Sequence, residues 1–362
     1  MVTIKTPQNY IYGNGVLEKS GQQISKIGKN ALIIGGKTAL NAASNVFINS
    51  LKEYDIEYDI KELTGYPTRE TISKFSSIVL ESNKDVIIGV GGGKALDTAK
   101  AVGEKTKRPV VTIPTIAATC ASWASISILY NEEGRFSEFG INQNSPLLIL
   151  ADSSIIANAP VRYLNAGIGD TIVKWYEFVP NLNINGDDIN LKLSVKNAEL
   201  ALDILKSSGV KAQNEVINHS QGKAFDDVID SVIFLAGLVG SIQGENPHGG
   251  FAHPFYNSVT LIPETRNRLH GEKVIFGLIV QLVLEKKSEE EIKDVLTFVK
   301  KFNLPFTLSQ IGIIDNIKEK VEIIADDIVK NNSFYKTFGR EFTKEEIEKA
   351  IFKADEIGRE QQ

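Results

Sequence analysis

The sequence predicts two domains, a mostly parallel α/β domain over residues 1–157 and an all-α domain over 158–362. Three observations lead there. A chain of 362 residues exceeds the size at which a single hydrophobic core usually stops growing. Short apolar runs ending in glycine or proline alternate with helix-like segments in the first half, which is the rhythm of βαβ units. Beyond residue 158 those runs stop and amphipathic helical patterns take over.

Taken in order, ALIIGG (31–36) is too short and too continuously apolar for a surface helix and reads as a buried strand. TALNAASNVFINSLKEY and TRETISKFSSIVLES follow, with apolar positions three and four residues apart, as helices require. DVIIGVGGG (85–93), PVVTIPT (109–115) and PLLILAD (146–152) are three further buried strands. In the second half SVKNAELALDILKSS, FDDVIDSVIFLAGLVGSI and KVIFGLIVQLVLEKK read as core-facing helices. The chain closes on TKEEIEKAIFKADEIGREQQ, a charged helix with i,i+4 pairs on a solvated face. With no low-complexity linker between the halves, a tight joint is expected, and small-molecule sites favour such clefts.

Composition narrows the function. Hydrophobic residues at 42% and charged residues at 23% are ordinary globular values. A net charge of −5, with both signs scattered, leaves no basic patch of the kind nucleic acid requires. No apolar stretch reaches the roughly 18 residues of a membrane span, and the N-terminus lacks the patterns of signal and transit peptides. Cys120 is the only cysteine, which excludes an internal disulfide and fits a reducing compartment. A soluble, cytoplasmic protein acting on a small molecule is expected, without nucleic-acid or membrane partners.

GVGGGKALDTAK (89–100) follows a predicted strand and opens a predicted helix. A helix N-terminus offers unpaired N–H groups and the positive end of the dipole, and the glycines Gly91, Gly92 and Gly93 let a phosphate approach that backbone. The stretch is neither GxGxxG nor a P-loop, so ATP chemistry is disfavoured, and a ligand-free glycine turn is the alternative. In IIGGKTAL, Gly36 and Lys37 stand where NAD-preferring folds often place an acid for the ribose hydroxyls. Lys37 is then either a surface lysine in a turn or a sign that NADPH is accepted.

Three separated residues make a candidate metal set: Asp170 in NAGIGDTIVKWYE, His253 in GGFAHP and His270 in RLHGEKV. One carboxylate and two imidazoles leave open positions on a divalent ion, as catalytic sites need. The alternative for each histidine is a satisfied polar side chain.

Over nearly its whole length the chain resembles the glycerol dehydrogenase branch of the metal-dependent, or iron-containing, alcohol dehydrogenases. The resemblance is carried by GVGGGKALDTAKAV, VTIPTIAATCASWASISILYNEEG, AGIGDTIVKWYE and LHGEKVIFGLIVQLVLE. Within the branch, TIAATCASW and GDTIVKWYE are most similar to the hydroxycarboxylate dehydrogenase A type, which is associated with NADPH-linked reduction of 2-oxo acids. The resemblance implies a Rossmann-like N-terminal domain and a helical C-terminal domain, the dehydroquinate synthase-like arrangement, with NAD or NADP between them. It implies that Asp170, His253 and His270 ligate one divalent ion, zinc first and nickel or iron as alternatives. Gly93, Lys94, Asp97, Thr115, Ala118, Ala124, Ile126 and Tyr130 fall on its cofactor-contact positions, and its members commonly assemble, so a homo-oligomer is implied.

Departures from the family pattern bear on the substrate. Glycerol dehydrogenases carry an aspartate where this chain has Cys120, and a thiol is a poor acceptor for polyol hydroxyls. Iron-type members carry a histidine at the position of Lys174, one turn beyond Asp170. Lys174 either pairs with Asp170 or meets a substrate carboxylate. Near relatives have a histidine in place of Tyr256, which leaves no evident proton relay there. Hydride transfer between nicotinamide and a 2-oxo/2-hydroxy acid pair is therefore expected. Glycerol oxidation, dehydroquinate synthase-like lyase chemistry and non-catalytic metal or nucleotide binding are the alternatives. His248 matches no ligand position and is expected in a loop near the cleft.

Overall fold

The computed structural model describes residues 2–244, 248–331 and 339–362. The first half comprises β1 (Thr3–Ile4), β2 (Asn9–Gly13), α1 (Ser20–Ile24), β3 (Asn30–Gly35), α2 (Lys37–Glu53), β4 (Glu57–Glu62) and α3 (Arg69–Glu81). It continues with β5 (Val86–Gly91), α4 (Gly93–Thr106), β6 (Val110–Pro114), the hairpin β7 (Ile126–Tyr130) and β8 (Phe136–Ile141), β9 (Leu148–Asp152) and α5 (Ser153–Ala157). Six strands form one parallel sheet in the order β2-β9-β6-β5-β3-β4.

The four apolar runs predicted as buried strands are β3, β5, β6 and β9, the interior of that sheet. Parallel strands covered on both faces need apolar side chains on both, hence the unbroken Ile and Val runs. Phe47 and Leu51 of α2 pack on one face with Ile33 and Ile88. On the other, Phe75 and Val79 of α3 and Ala99 and Val102 of α4 pack against Leu32, Ile34 and Ile87. The chain runs outward from β3 to the edge strand β4 and returns to β5 on the far side of β3. At the carboxyl ends of β3 and β5 the helices α2 and α4 therefore leave to opposite faces. Such a reversal of strand order opens a crevice where ligands bind.

The second half holds α6 (Val161–Phe178), α7 (Leu182–Asn185), α8 (Ile189–Ile217), α9 (Lys223–Asp230), α10 (Ala236–Ser241), α11 (Ala252–Val259), α12 (His270–Leu284), α13 (Glu289–Lys300), α14 (Ile317–Lys330) and a C-terminal helix Lys344–Glu360. None of the described helices is long and apolar enough to cross a membrane. α12 is apolar almost all round because it lies at the centre, against α6, α11 and the C-terminal helix. One expectation needs correcting: strand structure does not end at residue 158. A two-residue strand β10 (Ile242–Gln243) pairs antiparallel with β1, a segment too short to carry any periodicity.

A single π turn at Ser231–Leu235 joins α9 to α10. It turns Phe234 onto Trp123 and Tyr10, with ring centres 5.2 and 6.1 Å away. Beside this aromatic cluster, the Tyr10 and Tyr12 hydroxyls donate to Asp230 and Asp226 at 2.9 and 2.6 Å. The edge strand of the sheet is thus fastened to the helical half.

Candidate active site

A cleft of about 1720 Å³ runs from the carboxyl ends of β3 and β5 to the faces of α6, α11 and α12. That exceeds the few hundred to a thousand Å³ typical of drug-sized ligands and leaves room for a dinucleotide and a small substrate. Its sheet-side wall is formed by two helix N-termini. Gly91 ends β5 at φ +142, a backbone state that residues with a Cβ rarely adopt, and Gly92 then caps α4. Gly36 caps α2 in the same crevice, with Lys37 first in the helix. Neither cap carries a side-chain hydrogen bond, so the amides of both first turns are open to an anion.

On the other wall, the ligand set is assembled by a close helix crossing. A Cβ on Gly271 would lie 1.9 Å from the Ala166 carbonyl oxygen. Only glycine lets α12 rest on α6 here, and the adjacent His270 is thereby set against Asp170. Asp170 Oδ1 is 3.1 Å from His270 Nε2 and 3.4 Å from His253 Nε2. The three ligand atoms lie within 4.8 Å of one another. Asp170 sits in the middle of α6. A Cβ on Gly169 would meet Ile275 and the Gly271 carbonyl of α12, and one on Gly167 the Ala117 carbonyl.

His253 opens α11 and is oriented by Glu177, whose carboxylate accepts from its Nδ1–H at 2.6 Å and from its backbone N–H at 3.0 Å. The loop before α11 is held by Gln281, which accepts from Phe251 N–H at 2.8 Å and donates to the Tyr176 carbonyl at 2.8 Å. Burial alone would raise the Asp170 carboxyl, but Lys174, then His270 and His253, hold it well below the usual range. Burial lowers His270, with Asp170 pulling the other way, so its imidazole is neutral. Burial also works against a charged His253, yet Glu177 and Asp170 raise it to about 9. An ionised carboxylate and two Nε2 atoms aimed at it, one ring fixed through Nδ1 by a second carboxylate, fit a divalent cation.

Every residue singled out from the sequence lines this one cleft, His248 included. Asp97, however, has both oxygens engaged, one with Lys100 at 2.9 Å and one with the Ile128 N–H at 3.2 Å. Lys100 also donates to the Ala124 and Ile126 carbonyls. The pair fastens the segment carrying Ala124 and Ile126 to α4 and offers no free carboxylate. Lys174 makes no hydrogen bond or ion pair among the described residues. The Asp170 field nonetheless keeps it charged, raised above its ordinary value despite burial. Beside it, burial pushes the Cys120 thiol up, and the thiol is protonated. His248 pairs with Asp188 at 3.3 Å.

Three residues of this site were not singled out for these roles. Glu177 lies seven residues beyond Asp170, two turns along the same helical face, a spacing that was available to find it. Tyr256 lies edge-on to His270 at 4.2 Å, and its hydroxyl meets that of Tyr130 at 2.8 Å. Burial pushes the Tyr256 phenol up to about 12. Lys273, three residues past His270, is lowered to about 8 by burial and by Lys94, with Glu272 opposing.

Comparison with known proteins extends this description. The family model for iron-containing alcohol dehydrogenase matches residues 7–153. A glycerol dehydrogenase of Citrobacter freundii is 31% identical over 361 residues, covering 99% of this chain and 98% of that protein. Hydroxycarboxylate dehydrogenase A of Escherichia coli is 38% identical over 259 residues, 70% of this chain and 71% of that one. Among solved structures, a probable glycerol dehydrogenase from Sinorhizobium meliloti superposes with a TM-score of 0.90 at 28% identity, covering 99% of both chains.

Proposed function

The chain belongs to the iron-containing alcohol dehydrogenase family, in its glycerol dehydrogenase branch, and we propose that its own substrates are a small 2-oxo acid and the corresponding 2-hydroxy acid. It is an oxidoreductase of the metal-dependent alcohol dehydrogenase type. The observation that carries the acid reading is Lys174, a charged ammonium in the cleft with no hydrogen bond or ion pair among the described residues, next to the neutral thiol of Cys120. A neutral group with a cation beside it suits a substrate carboxylate better than a polyol.

In this reading Asp170, His253 and His270 hold one divalent ion, and Glu177 keeps the His253 ring turned toward it. Imidazole and carboxylate suit zinc, nickel and iron alike. The first turns of α2 and α4 hold the phosphates of NAD or NADP, and Lys37, with no acid beside it in Gly36-Lys37-Thr38, favours NADPH. When bound, the ion supplies Lewis-acid polarisation of a substrate oxygen and the nicotinamide supplies or accepts the hydride. Lys174 orients the substrate carboxylate.

NAD(P)H oxidation with 2-oxo acids, aldehydes and ketones, and NAD(P)+ reduction with glycerol, compared by kcat/KM after reloading with each metal, tests the assignment. The acid reading expects Lys174→Met to lower kcat/KM for 2-oxo acids by about 10- to 100-fold, the value of a charge-assisted hydrogen bond, with uncharged ketones little changed. Full-length similarity to glycerol dehydrogenases favours the second reading, polyol oxidation. A panel in which glycerol leads and Lys174→Met has no carboxylate-selective effect would establish it over the acid reading.

A further inference from the structure

Lys94 and Lys273 enter the cleft from opposite walls, one in the first turn of α4 and the other in the first turn of α12. Lys273 is only 6% exposed. Among the described residues neither ammonium has a hydrogen bond or an ion pair. Each has an aromatic face instead: Lys94 Nζ lies 3.8 Å from the centre of the Tyr66 ring, and Lys273 Nζ 5.0 Å from that of Tyr256. Tyr130 links the two rings, with its own ring 5.6 Å from Tyr66 and its hydroxyl 2.8 Å from that of Tyr256. A continuous row of two cations and three tyrosines therefore crosses the cleft from the sheet side to the helical side.

Among the described residues, the carboxylates beside the row are already engaged. Glu272, adjacent to Lys273, accepts from Arg162 at 2.6 and 2.7 Å and from the Leu269 N–H at 2.8 Å. Asp97 is held by Lys100 and Ile128, and Asp170 faces the two histidines. A buried cation without a counter-ion is costly, and a cation–π contact offsets only part of that cost. Lys94, across the row, is exposed, so that cost falls on Lys273. An arrangement of this kind persists where a ligand supplies the missing charge.

We propose that Lys94 and Lys273 form a two-cation subsite, floored by Tyr66, Tyr130 and Tyr256, that takes an anionic oxygen group bridging the two walls of the cleft. The anion is a phosphate group of the dinucleotide or the carboxylate of the substrate. The subsite rests on the oxidoreductase reading for the source of the anion and not for its existence, which binding alone reports.

The test uses the full chain, with NADH and NADPH binding followed by fluorescence, inorganic diphosphate as competitor, and KM for a 2-oxo acid against an uncharged ketone of similar size. In Lys273→Met, a loss of about tenfold or more in dinucleotide and diphosphate affinity supports the subsite and assigns it to phosphate. An equal rise in KM confined to the 2-oxo acid supports it and assigns it to carboxylate. Lys273→Arg is expected to recover most of either loss, and Lys94→Met to give the same pattern, less than additively with Lys273→Met. Should the Met variant at 273 not fold, Lys94→Met and Lys273→Arg carry the comparison. A folded Lys273→Met that stays within about twofold of the parent in all of these, well under 1 kcal/mol, overturns the proposal. Absence of turnover with any substrate would count against the enzyme reading while leaving the diphosphate arm to decide this one.

Discussion

The two walls of the cleft are built from different materials. On the sheet side, Gly36, Gly91, Gly92 and Gly93 offer backbone amides at two helix ends, each stretch contiguous in sequence. On the helical side, Asp170, Glu177, His253 and His270 offer side chains that come from three helices and meet only because Gly271 lets α12 rest on α6. One wall acts through shape, the other through buried charge held by other buried charge. Damage to the first should impair the binding of one ligand; damage to the second should leave groups with unsatisfied charge.

Removing the central carboxylate is the strongest test of that contrast. Asp170→Ala is expected to lose the metal and to lower activity by roughly a thousandfold or more, the scale of several kcal/mol of charge stabilisation, while dinucleotide affinity is retained. Metal analysis beside fluorescence titration of the cofactor checks both halves. Glu177→Gln should cost about 10- to 100-fold in metal affinity, measured by competition with a chelator, because His253 loses the anion that fixes its ring. If either variant weakens the cofactor and the metal equally, the two walls are not independent.

Gly91→Ala works on the other wall. A residue with a Cβ is strained at φ +142 and would sit 3.2 Å from the Ala95 Cβ, so about 1–3 kcal/mol of stability is expected to be lost, with cofactor affinity falling and metal content unchanged. Thermal unfolding and the same two binding assays read this out. A carboxylate outside both walls sets the low end of the scale. Arg340 and the Thr343 cap hold Glu346 down to about 2. Because its folded value lies below the unfolded one, its contribution is present above about pH 4.5 and fades as the pH falls toward 2. The Tm difference between the parent and Glu346→Gln should accordingly be small at neutral pH and vanish in acid.

How much of each wall was legible in the sequence follows from the same contrast. Local pattern fixes β3, β5, β6 and β9, because strands buried on both faces must be apolar throughout. The edge strand β4, EYDIKE, is largely exposed and charged, and it looks like a loop to any reading that seeks apolar runs. The glycine loop is legible because the backbone amides at one helix end are contiguous in sequence. Residue chemistry alone made Asp170, His253 and His270 candidate ligands with a bland alternative for each histidine, and the family resemblance strengthened them, since 100 positions separate Asp170 from His270. Lys273 carried no local signal at all: its meaning depends on the carboxylates it does not meet, and only the assembled structure shows those.

Cys120 has one more consequence. As the chain's single cysteine, half-buried in the wall of the cleft, it is an attachment point that exists without engineering. A thiol-directed fluorophore or spin label can mark this cleft and no other part of the chain. The thiol is held protonated by burial, so labelling should be slow at neutral pH and quicken in alkali. Its rate, slowed by whatever occupies the cleft, gives an occupancy reporter that works before any substrate is known.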